Sequence, residues 1–289
     1  MFEVFDKGWL KKLYQPKIDS SGEDNGQVTI IGGSKLFHGA PLLSLKVASR
    51  IVDMVFFASP EPSVGGVAER FKSKLFSFIW VPWSEVDDYI KKSDAVLIGP
   101  GFMRFRSEKV PPQKRNQGFD EAASQTRKIT KRFLNKFPDK RWVIDAGSLQ
   151  VIKKDWIPRN AILTPNQKEY KFLFGELKAQ EVAKKYNCII TAKGPETLVC
   201  SPDTCVKIVN GNPGLTKGGT GDVLAGLTVA LLAKNEPFLA AAVASYISKT
   251  AADELYKPSL PLRGREVGTN YNSDDLADKI PEVLHNLTS

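Results

Sequence analysis

The sequence predicts an α/β fold in which helices cover both faces of a mostly parallel central sheet. Short apolar runs rich in β-branched residues alternate along the chain with helix-length amphipathic runs. The short runs lack the polar alternation of half-exposed strands, so we expect both of their faces to be buried. Glycines follow several of these runs, at the positions where a parallel sheet binds its ligands.

The individual elements follow from these patterns. The predicted central strands are Val28–Ile31, Met54–Phe57, Ala95–Ile98, Trp142–Ile144, Ala161–Leu163 and Ile189–Thr191. Helical patterning covers Pro41–Val52, Glu121–Phe137, Asn166–Phe174, Gln180–Tyr186 and much of the C-terminal third. Two short runs, Leu198–Cys200 and Val206–Val209, predict a hairpin around Asp203, and therefore antiparallel strands at the edge of the sheet.

The bulk composition limits the number of domains and the class of ligand. A chain of 289 residues with 42% hydrophobic content can bury one large core. We expect a single domain over residues 26–289, preceded by an N-terminal extension over residues 1–25. The net charge of +9 suits anionic ligands such as nucleotides, but it also suits RNA, DNA or an acidic membrane surface.

The number of cysteines and the length of the apolar runs indicate the cellular compartment in which the protein folds. The three cysteines form no C-x-x-C pair and there are two histidines, so we expect neither a structural zinc site nor a disulfide framework. The N-terminus lacks the uninterrupted apolar core of a secretory signal, and the longest apolar stretches are too short to span a bilayer. These features predict a reducing cytoplasm, with no membrane partner.

Four strand ends carry residues that suit ligand binding. They are Gly32–Ser34, Gly99–Gly101, Asp145–Gly147 and Thr164–Asn166. Because the carboxyl ends of parallel strands meet at one edge of a sheet, we expect these segments to converge there.

The most informative segment runs from Gly211 to Gly226, where a glycine-rich loop leads into an apolar helix. Backbone N–H groups of Gly218, Gly219, Thr220 and Gly221 can form an anion hole, because glycines allow close approach and a helix start carries partial positive charge. Asp222 beside them can take a proton from a hydroxyl. The purely structural alternative is a tight helix entry with Thr220 as the N-cap. The loop matches neither the P-loop nor the dinucleotide fingerprint.

Three further segments each have a functional and a structural interpretation. Asn166 and Glu169 lie on one helix face and can hold Mg²⁺ through waters, or they can form a capping box. Lys193, Gly194, Pro195, Glu196 and Thr197 can cover the adenosine part of a nucleotide, or they can form a plain turn. The basic segment 102–118 can act as a lid over a nucleotide or as an exposed insertion.

Together these motifs make the chain resemble the ADP- or ATP-dependent NAD(P)H-hydrate dehydratases of the ribokinase-like superfamily. The resemblance begins near Gly26 and follows the family's order of motifs. These are Ile31–Ser34 with Gly39–Pro41, Ile98–Gly101, Asp145–Ala146, Leu163–Asn166 with Glu169, Lys193–Gly194, and Gly211–Asp222. The Gly-Asn-Pro-Gly extension at Gly211–Gly214 separates this family from sugar and vitamin kinases of the same superfamily.

The resemblance implies roles for particular residues. Ala40, Gly101, Asn166 and Asp222 would contact the hydrated nicotinamide nucleotide, and Lys193–Thr197 with Gly221 would contact ADP or ATP. Asp222 would be the catalytic base, and Mg²⁺ near Glu169 would offset phosphate charge. Many bacterial members have histidine at the position of Asn166, and the family often has a second aspartate at the position of Gly147.

The resemblance also implies partners and an assembly. Some relatives carry an epimerase domain that 25 leading residues cannot encode, so a separate epimerase would be needed. The family suggests a homo-oligomer, specifically a tetramer. Two rival functions remain: a vitamin or sugar kinase of the same fold, and a basic nucleic-acid-binding protein. No RNA-binding aromatic motif or zinc-finger spacing supports the latter, so we expect no nucleic-acid partner.

Overall fold

A ten-stranded sheet forms the centre of the part of the chain that the computed structural model describes, residues 2–103, 121–257 and 268–288. The strands are β1 (Glu3–Val4), β2 (Gln27–Ile31), β3 (Met54–Ala58), β4 (Ile79–Trp80), β5 (Ala95–Ile98), β6 (Arg141–Ile144), β7 (Ile162–Leu163), β8 (Ile189–Ala192), β9 (Thr197–Cys200) and β10 (Cys205–Ile208). Their order across the sheet is β1-β10-β9-β8-β7-β6-β5-β2-β3-β4. All six predicted central strands are confirmed.

The strands alternate their side chains between two buried layers, as the absence of polar alternation predicts. Val28 and Ile30 of β2 point into one apolar layer, and Ile31 points into the other. In β5, Leu97 joins the first layer and Ile98 the second, and both are fully buried. Because strands β2 to β8 pair in parallel wherever they are neighbours, their carboxyl ends lie along one edge of the sheet.

Helices form the two outer layers. They are α1 (Gly39–Ala48), α2 (Pro62–Phe71), α3 (Val86–Lys92), α4 (Glu121–Lys136), α5 (Ala146–Leu149), α6 (Gln167–Phe174), α7 (Ala179–Tyr186), α8 (Thr220–Leu232), α9 (Pro237–Tyr256) and α10 (Ser273–Thr288). Apolar residues of α1, α8, α9 and α10 pack on one face of the sheet, and those of α3, α4, α6 and α7 pack on the other. The predicted helices are confirmed, with ends within a few residues of the expected ones.

The β9–β10 hairpin is confirmed, and β9 is antiparallel to both of its neighbours. The outermost strand on that side is β1, which pairs in parallel with β10. Beyond β1, the extension adds Leu10 and Leu13 to the buried core. The antiparallel pairs therefore lie just inside this edge of the sheet.

The sequence led us to expect no disulfide framework, and the structure contains one disulfide that this expectation did not include. Cys200 and Cys205 are joined by a disulfide across the β9–β10 hairpin. The hairpin register places the two residues directly opposite each other, with a Cα–Cα distance of 4.1 Å. The count and spacing of cysteines carry no information about strand register, so the sequence argument could not detect this pair.

Two other expectations concern membrane-spanning helices and the basic segment. Within the described ranges, no helix combines the length and apolar character needed to cross a bilayer. The basic segment 102–118, apart from Phe102 and Met103, lies outside the described residues.

Candidate active site

The candidate site lies at the carboxyl ends of five neighbouring strands, β2, β5, β6, β7 and β8. Glycines allow the loops there to approach closely. A Cβ on Gly99, whose φ is +120°, would lie 1.9 Å from the Asp145 carbonyl oxygen. A Cβ on Gly101, whose φ is +73°, would lie 2.6 Å from the Phe37 carbonyl oxygen. The two glycines therefore bring the ends of β5, β6 and the β2–α1 loop together.

A buried ion pair lies at the centre of this edge. Lys193, directly after β8, places its Nζ 3.0 Å from Asp145 Oδ1, and the Asp145 side chain is 2% exposed. The Thr164 hydroxyl donates to the same oxygen at 2.7 Å. Burial opposes the charged form of Lys193, but Asp145 and Glu169 outweigh it and raise the pKa of the ammonium group. Lys193 is therefore charged at neutral pH.

Asn166 and Glu169 form the capping box that the structural alternative predicts. Asn166 Oδ1 accepts hydrogen bonds from the N–H groups of Lys168 and Glu169, and Glu169 Oε2 accepts one from the Asn166 N–H. Gln150 Nε2 donates to Glu169 Oε1 at 3.0 Å. Burial raises the pKa of Glu169, and the positive charge of Lys193 partly opposes this rise. The capping box fixes both side chains beside the Lys193–Asp145 pair.

The glycine-rich loop leaves backbone donors available. Gly219, with φ +92°, is the N-cap of α8, and Thr220 does not cap the helix, because its hydroxyl donates to the carbonyls of Leu215 and Lys217. Among the described residues, none accepts a hydrogen bond from the N–H groups of Gly218, Gly219 or Gly221. A Cβ on Gly218 would meet nothing within 4 Å. The loop can therefore receive an anion.

Asp222 lies in the first turn of α8 and is partly buried. Burial raises its pKa to about 7, the negative charges of Asp145 and Glu169 add to the rise, and Lys193 opposes it. A carboxylate with a pKa near the working pH is well suited to accept and release protons. Its own carbonyl accepts a hydrogen bond from Ser44 Oγ at 2.7 Å, so α1 holds this turn of α8 in place.

The Gly211–Gly214 segment is anchored by residues that sequence reasoning missed. Asp253, on α9, accepts hydrogen bonds from the Gly211 N–H at 2.8 Å and from Asn212 Nδ2 at 3.0 Å. Asn212 Oδ1 accepts from the Tyr271 hydroxyl at 2.9 Å. A Cβ on Gly214 would lie 2.4 Å from the Tyr271 ring. The sequence signal for this anchor was an acidic pair, Asp253 and Glu254, within the alanine-rich α9.

The remaining predicted contacts lie around this centre. A Cβ on Gly221 would lie 3.2 Å from Lys193 Nζ, so the glycine-rich loop and the Lys193–Thr197 turn are adjacent. Ala40, partly exposed near the start of α1, is one helical turn before Ser44 and therefore on the face that contacts α8. Glu196 forms an ion pair with Lys207 at 2.6 Å.

A cleft of about 310 Å³ opens beside Lys193, between α6 and the β8–β9 turn. Its lining is Asn166, Gln167, Tyr170, Lys171, Gly175, Glu176, Leu177, Ala192, Lys193, Gly194, Glu196 and Leu198. The cleft therefore shares Asn166, Lys193, Gly194 and Glu196 with the predicted site.

The two departures from the family pattern have structural reasons. A Cβ on Gly147 would lie 2.2 Å from the Phe102 carbonyl oxygen, so an aspartate does not fit here. Asn166 accepts two backbone hydrogen bonds through one side-chain oxygen, which a histidine ring nitrogen reproduces less well.

Sequence comparison with known proteins identifies the family of this chain. A sequence profile described as NAD(P)H-hydrate dehydratase matches residues 28–281. The bifunctional NAD(P)H-hydrate repair enzyme of Methanocaldococcus jannaschii is 35% identical over 289 residues, covering 96% of this chain and 52% of the relative. The ADP-dependent (S)-NAD(P)H-hydrate dehydratase of Cenarchaeum symbiosum is 29% identical over 287 residues, covering 92% of this chain and 91% of the relative.

A solved structure supports the predicted fold class. A ribokinase-like superfamily protein from Enterococcus faecalis superposes with a TM-score of 0.79 at 21% identity, over 99% of this chain and 96% of that one. The ribokinase-like fold is therefore confirmed. The chain spans about half the length of the bifunctional relatives that it matches. On the profile match and the 35% identical relative, the chain belongs to the NAD(P)H-hydrate dehydratase family.

Proposed function

We propose that the protein is a dehydratase that returns (6S)-hydrated NADH or NADPH to NADH or NADPH and consumes ADP or ATP. The observation that carries this proposal is Asp222, whose pKa is raised to about 7 beside glycine N–H groups without acceptors among the described residues. A base next to an anion site is what phosphoryl transfer to a hydroxyl requires. The names of the relatives support the same reaction.

The first step makes a leaving group. Hydroxide leaves poorly, so the C6 hydroxyl of the hydrated ring is phosphorylated. Asp222 accepts the hydroxyl proton while the oxygen attacks the terminal phosphate, and the bond from that phosphate to the nucleotide breaks. AMP leaves when ADP is the donor, and ADP leaves when ATP is the donor. The N–H groups of Gly218, Gly219 and Gly221 stabilise the charge on the transferring phosphoryl oxygens, whereas the Thr220 N–H, which we expected to join them, donates to the Lys217 carbonyl.

The second step is an elimination. The C6–O bond breaks, and phosphate leaves with the bonding electrons as the ring nitrogen shares its lone pair with C6. Loss of a proton from C5 then restores the C5–C6 double bond. The net reaction converts the hydrate and ADP into NADH or NADPH, AMP and phosphate, with ATP yielding ADP instead.

We assign substrate contacts to Ala40, Gly101, Asn166 and Asp222, and adenine-nucleotide contacts to Lys193–Thr197 and Gly221. The adjacency of Lys193 Nζ and Gly221 supports this division, because one nucleotide can then contact both segments. The position of Ala40 on the α1 face that contacts α8 supports its place near Asp222.

A Mg²⁺ ion fits the chemistry of these residues when it is bound mainly through phosphate and water. Glu169 and Asp145 supply carboxylates, whereas no group of three or more potential ligands converges in the ranges that the structure describes. Such sparse protein ligation is typical of Mg²⁺ on nucleotide phosphates. The ion would offset phosphate charge, and Glu169 would orient it through water.

The proposal includes a cytoplasmic location, a homotetramer and a separate epimerase. The bifunctional names of several relatives support a second activity that accompanies the dehydratase. The Cys200–Cys205 disulfide fits this location if the cell is heat-adapted, because intracellular proteins of such cells retain disulfides. Light scattering tests the tetramer.

The decisive experiment incubates the protein with hydrated NADH or NADPH, Mg²⁺ and either ADP or ATP. We expect the absorbance of the reduced nicotinamide to return, with stoichiometric phosphate release. Asp222→Asn should bind the nucleotide but give no recovery. Running each hydrate with each phosphate donor identifies the preferred pair.

The same experiment tests the rival functions. A kinase that stops after phosphorylation would accumulate a phosphorylated product without recovery of absorbance. A nucleic-acid-binding protein would show neither, and would bind oligonucleotides with a steep salt dependence.

A further inference from the structure

A buried lysine outside the proposed site connects two of its loops. Lys249 lies on α9 and is 6% exposed. Its Nζ donates to the Pro195 carbonyl at 2.5 Å and to the Asn210 carbonyl at 2.8 Å. Pro195 belongs to the turn between β8 and β9, and Asn210 belongs to the segment that follows β10. One ammonium group therefore links two segments that are separate in sequence.

The Lys249 side chain is held in place by packing. A Cβ on Gly211, whose φ is +101°, would lie 3.0 Å from Lys249 Cγ, so the glycine leaves room for the lysine stem. Burial lowers the pKa of Lys249, while Asp253 and Glu196 favour its charged form. These two carboxylates are the acidic groups that act on the ammonium among the described residues.

Helix α9 also fixes the segment that follows β10, through residues close to Lys249 in sequence. Asn210 Nδ2 donates to Thr250 Oγ1 at 2.7 Å, and the Gly211 N–H donates to Asp253 Oδ2. Together with Lys249, these side chains anchor the chain between β10 and the glycine-rich loop. The hydrogen bond from Lys249 joins the turn that holds Pro195 to this helix.

We propose that Lys249 is a positioning residue that sets the distance between the Lys193–Thr197 turn and the glycine-rich loop, so that one nucleotide can contact both. This proposal rests on the proposed function, in which the turn binds the adenosine part and the loop binds the phosphates. Lys249 itself touches backbone carbonyls, and its effect on the nucleotide is indirect.

The proposal makes a distinctive prediction about ligand fragments. A ligand that spans two sites gains affinity from their correct separation, whereas a ligand that occupies one site does not. Adenosine occupies the turn alone, and inorganic pyrophosphate occupies the glycine-rich loop alone. Losing Lys249 should therefore weaken ADP binding and largely spare both fragments.

The test is calorimetric titration of ADP, adenosine and pyrophosphate, each with Mg²⁺, into the wild type and Lys249→Met. We expect the variant to lose about 10- to 100-fold in ADP affinity, the range for one hydrogen bond from a charged donor such as the bond to Pro195, and to change by less than about threefold for either fragment. Lys140→Met is the matched control, because Lys140 Nζ also donates to two backbone carbonyls, those of Lys91 and Ser93, which precede β5 and therefore lie at the opposite edge of the sheet from both loops. It should leave all three affinities unchanged.

Two results would overturn the proposal: unchanged ADP affinity in Lys249→Met, or equal losses for all three ligands. If the methionine variant does not fold, Lys249→Gln carries the same expectations, and Lys249→Arg, which keeps a charged donor, should restore most of the ADP affinity. A wild-type protein that binds none of the three ligands would instead contradict the proposed function, and this proposal with it.

Discussion

Replacing Asp222 with asparagine should remove activity and yet stabilise the fold at alkaline pH. The pKa of Asp222 rises from 3.8 to about 7 because the carboxyl group is buried near Asp145 and Glu169. The unfolded chain therefore releases this proton at a lower pH than the folded chain does. Ionisation costs stability as the pH rises from about 4 to 7, and the loss is complete above pH 7.

The magnitude follows from the size of the shift. A change of about 3 pKa units corresponds to at most about 4 kcal/mol of unfolding free energy above pH 7. Asparagine is neutral in both the folded and the unfolded chain, so the variant does not lose this unfolding free energy as the pH rises. We therefore expect the stabilisation by Asp222→Asn to be about 3 kcal/mol greater at pH 8 than at pH 5.

Urea denaturation of the two proteins at both pH values measures this difference. Asp203→Asn is the matched control, because Asp203 is exposed in the β9–β10 turn and its loss removes the same charge. In parallel, kcat/KM of the wild type should fall about tenfold per pH unit below 7, as the base becomes protonated. A stability difference that does not vary with pH would refute the assigned environment of Asp222.

Three further variants test the glycine-rich loop and the hairpin. Gly219→Ala puts a side chain on a residue with φ +92° and places its Cβ 2.6 Å from Leu43 Cδ1 and Ser273 Oγ. We therefore expect urea denaturation to show a decrease of about 2 kcal/mol in the free energy of unfolding. Gly218→Ala, which meets open space, should change stability by less than about 0.5 kcal/mol, and equal losses would contradict the steric argument. Removing the disulfide in Cys200→Ser/Cys205→Ser should cost about 2 kcal/mol in the same assay. Cys200 and Cys205 are bonded to each other, and burial raises the pKa of the remaining thiol, Cys188, to about 12. The native wild type should therefore show no thiol that reacts rapidly with a thiol reagent. A rapidly reacting thiol would contradict the disulfide.

The sequence was sufficient to predict the central strands and the convergence of the candidate residues at one edge of the sheet. Runs such as Ala95–Ile98 are buried on both faces, and this leaves a continuous apolar signal. The strands β1 and β4 escaped detection because each has two residues and is at least partly exposed, so neither produces a run.

Side-chain partners across long separations could not be predicted. Lys193 and Asp145 are 48 residues apart, and their ion pair depends on the order of β6, β7 and β8 in the sheet. The anchoring of Asn212 by Asp253 and Tyr271 depends on how α9 and the segment before α10 pack. The same limit applies to the disulfide, which needs the hairpin register rather than the spacing of cysteines.

Both outer edges of the sheet end in two-residue strands, β1 on one side and β4 on the other. Long, flat edges recruit strands from other molecules, whereas such brief ones with a charged residue like Glu3 offer little to pair with. The sheet is therefore protected against intermolecular extension and the fibrous aggregation that it brings. We therefore expect any assembly of several copies to use helical or loop surfaces rather than these two edges.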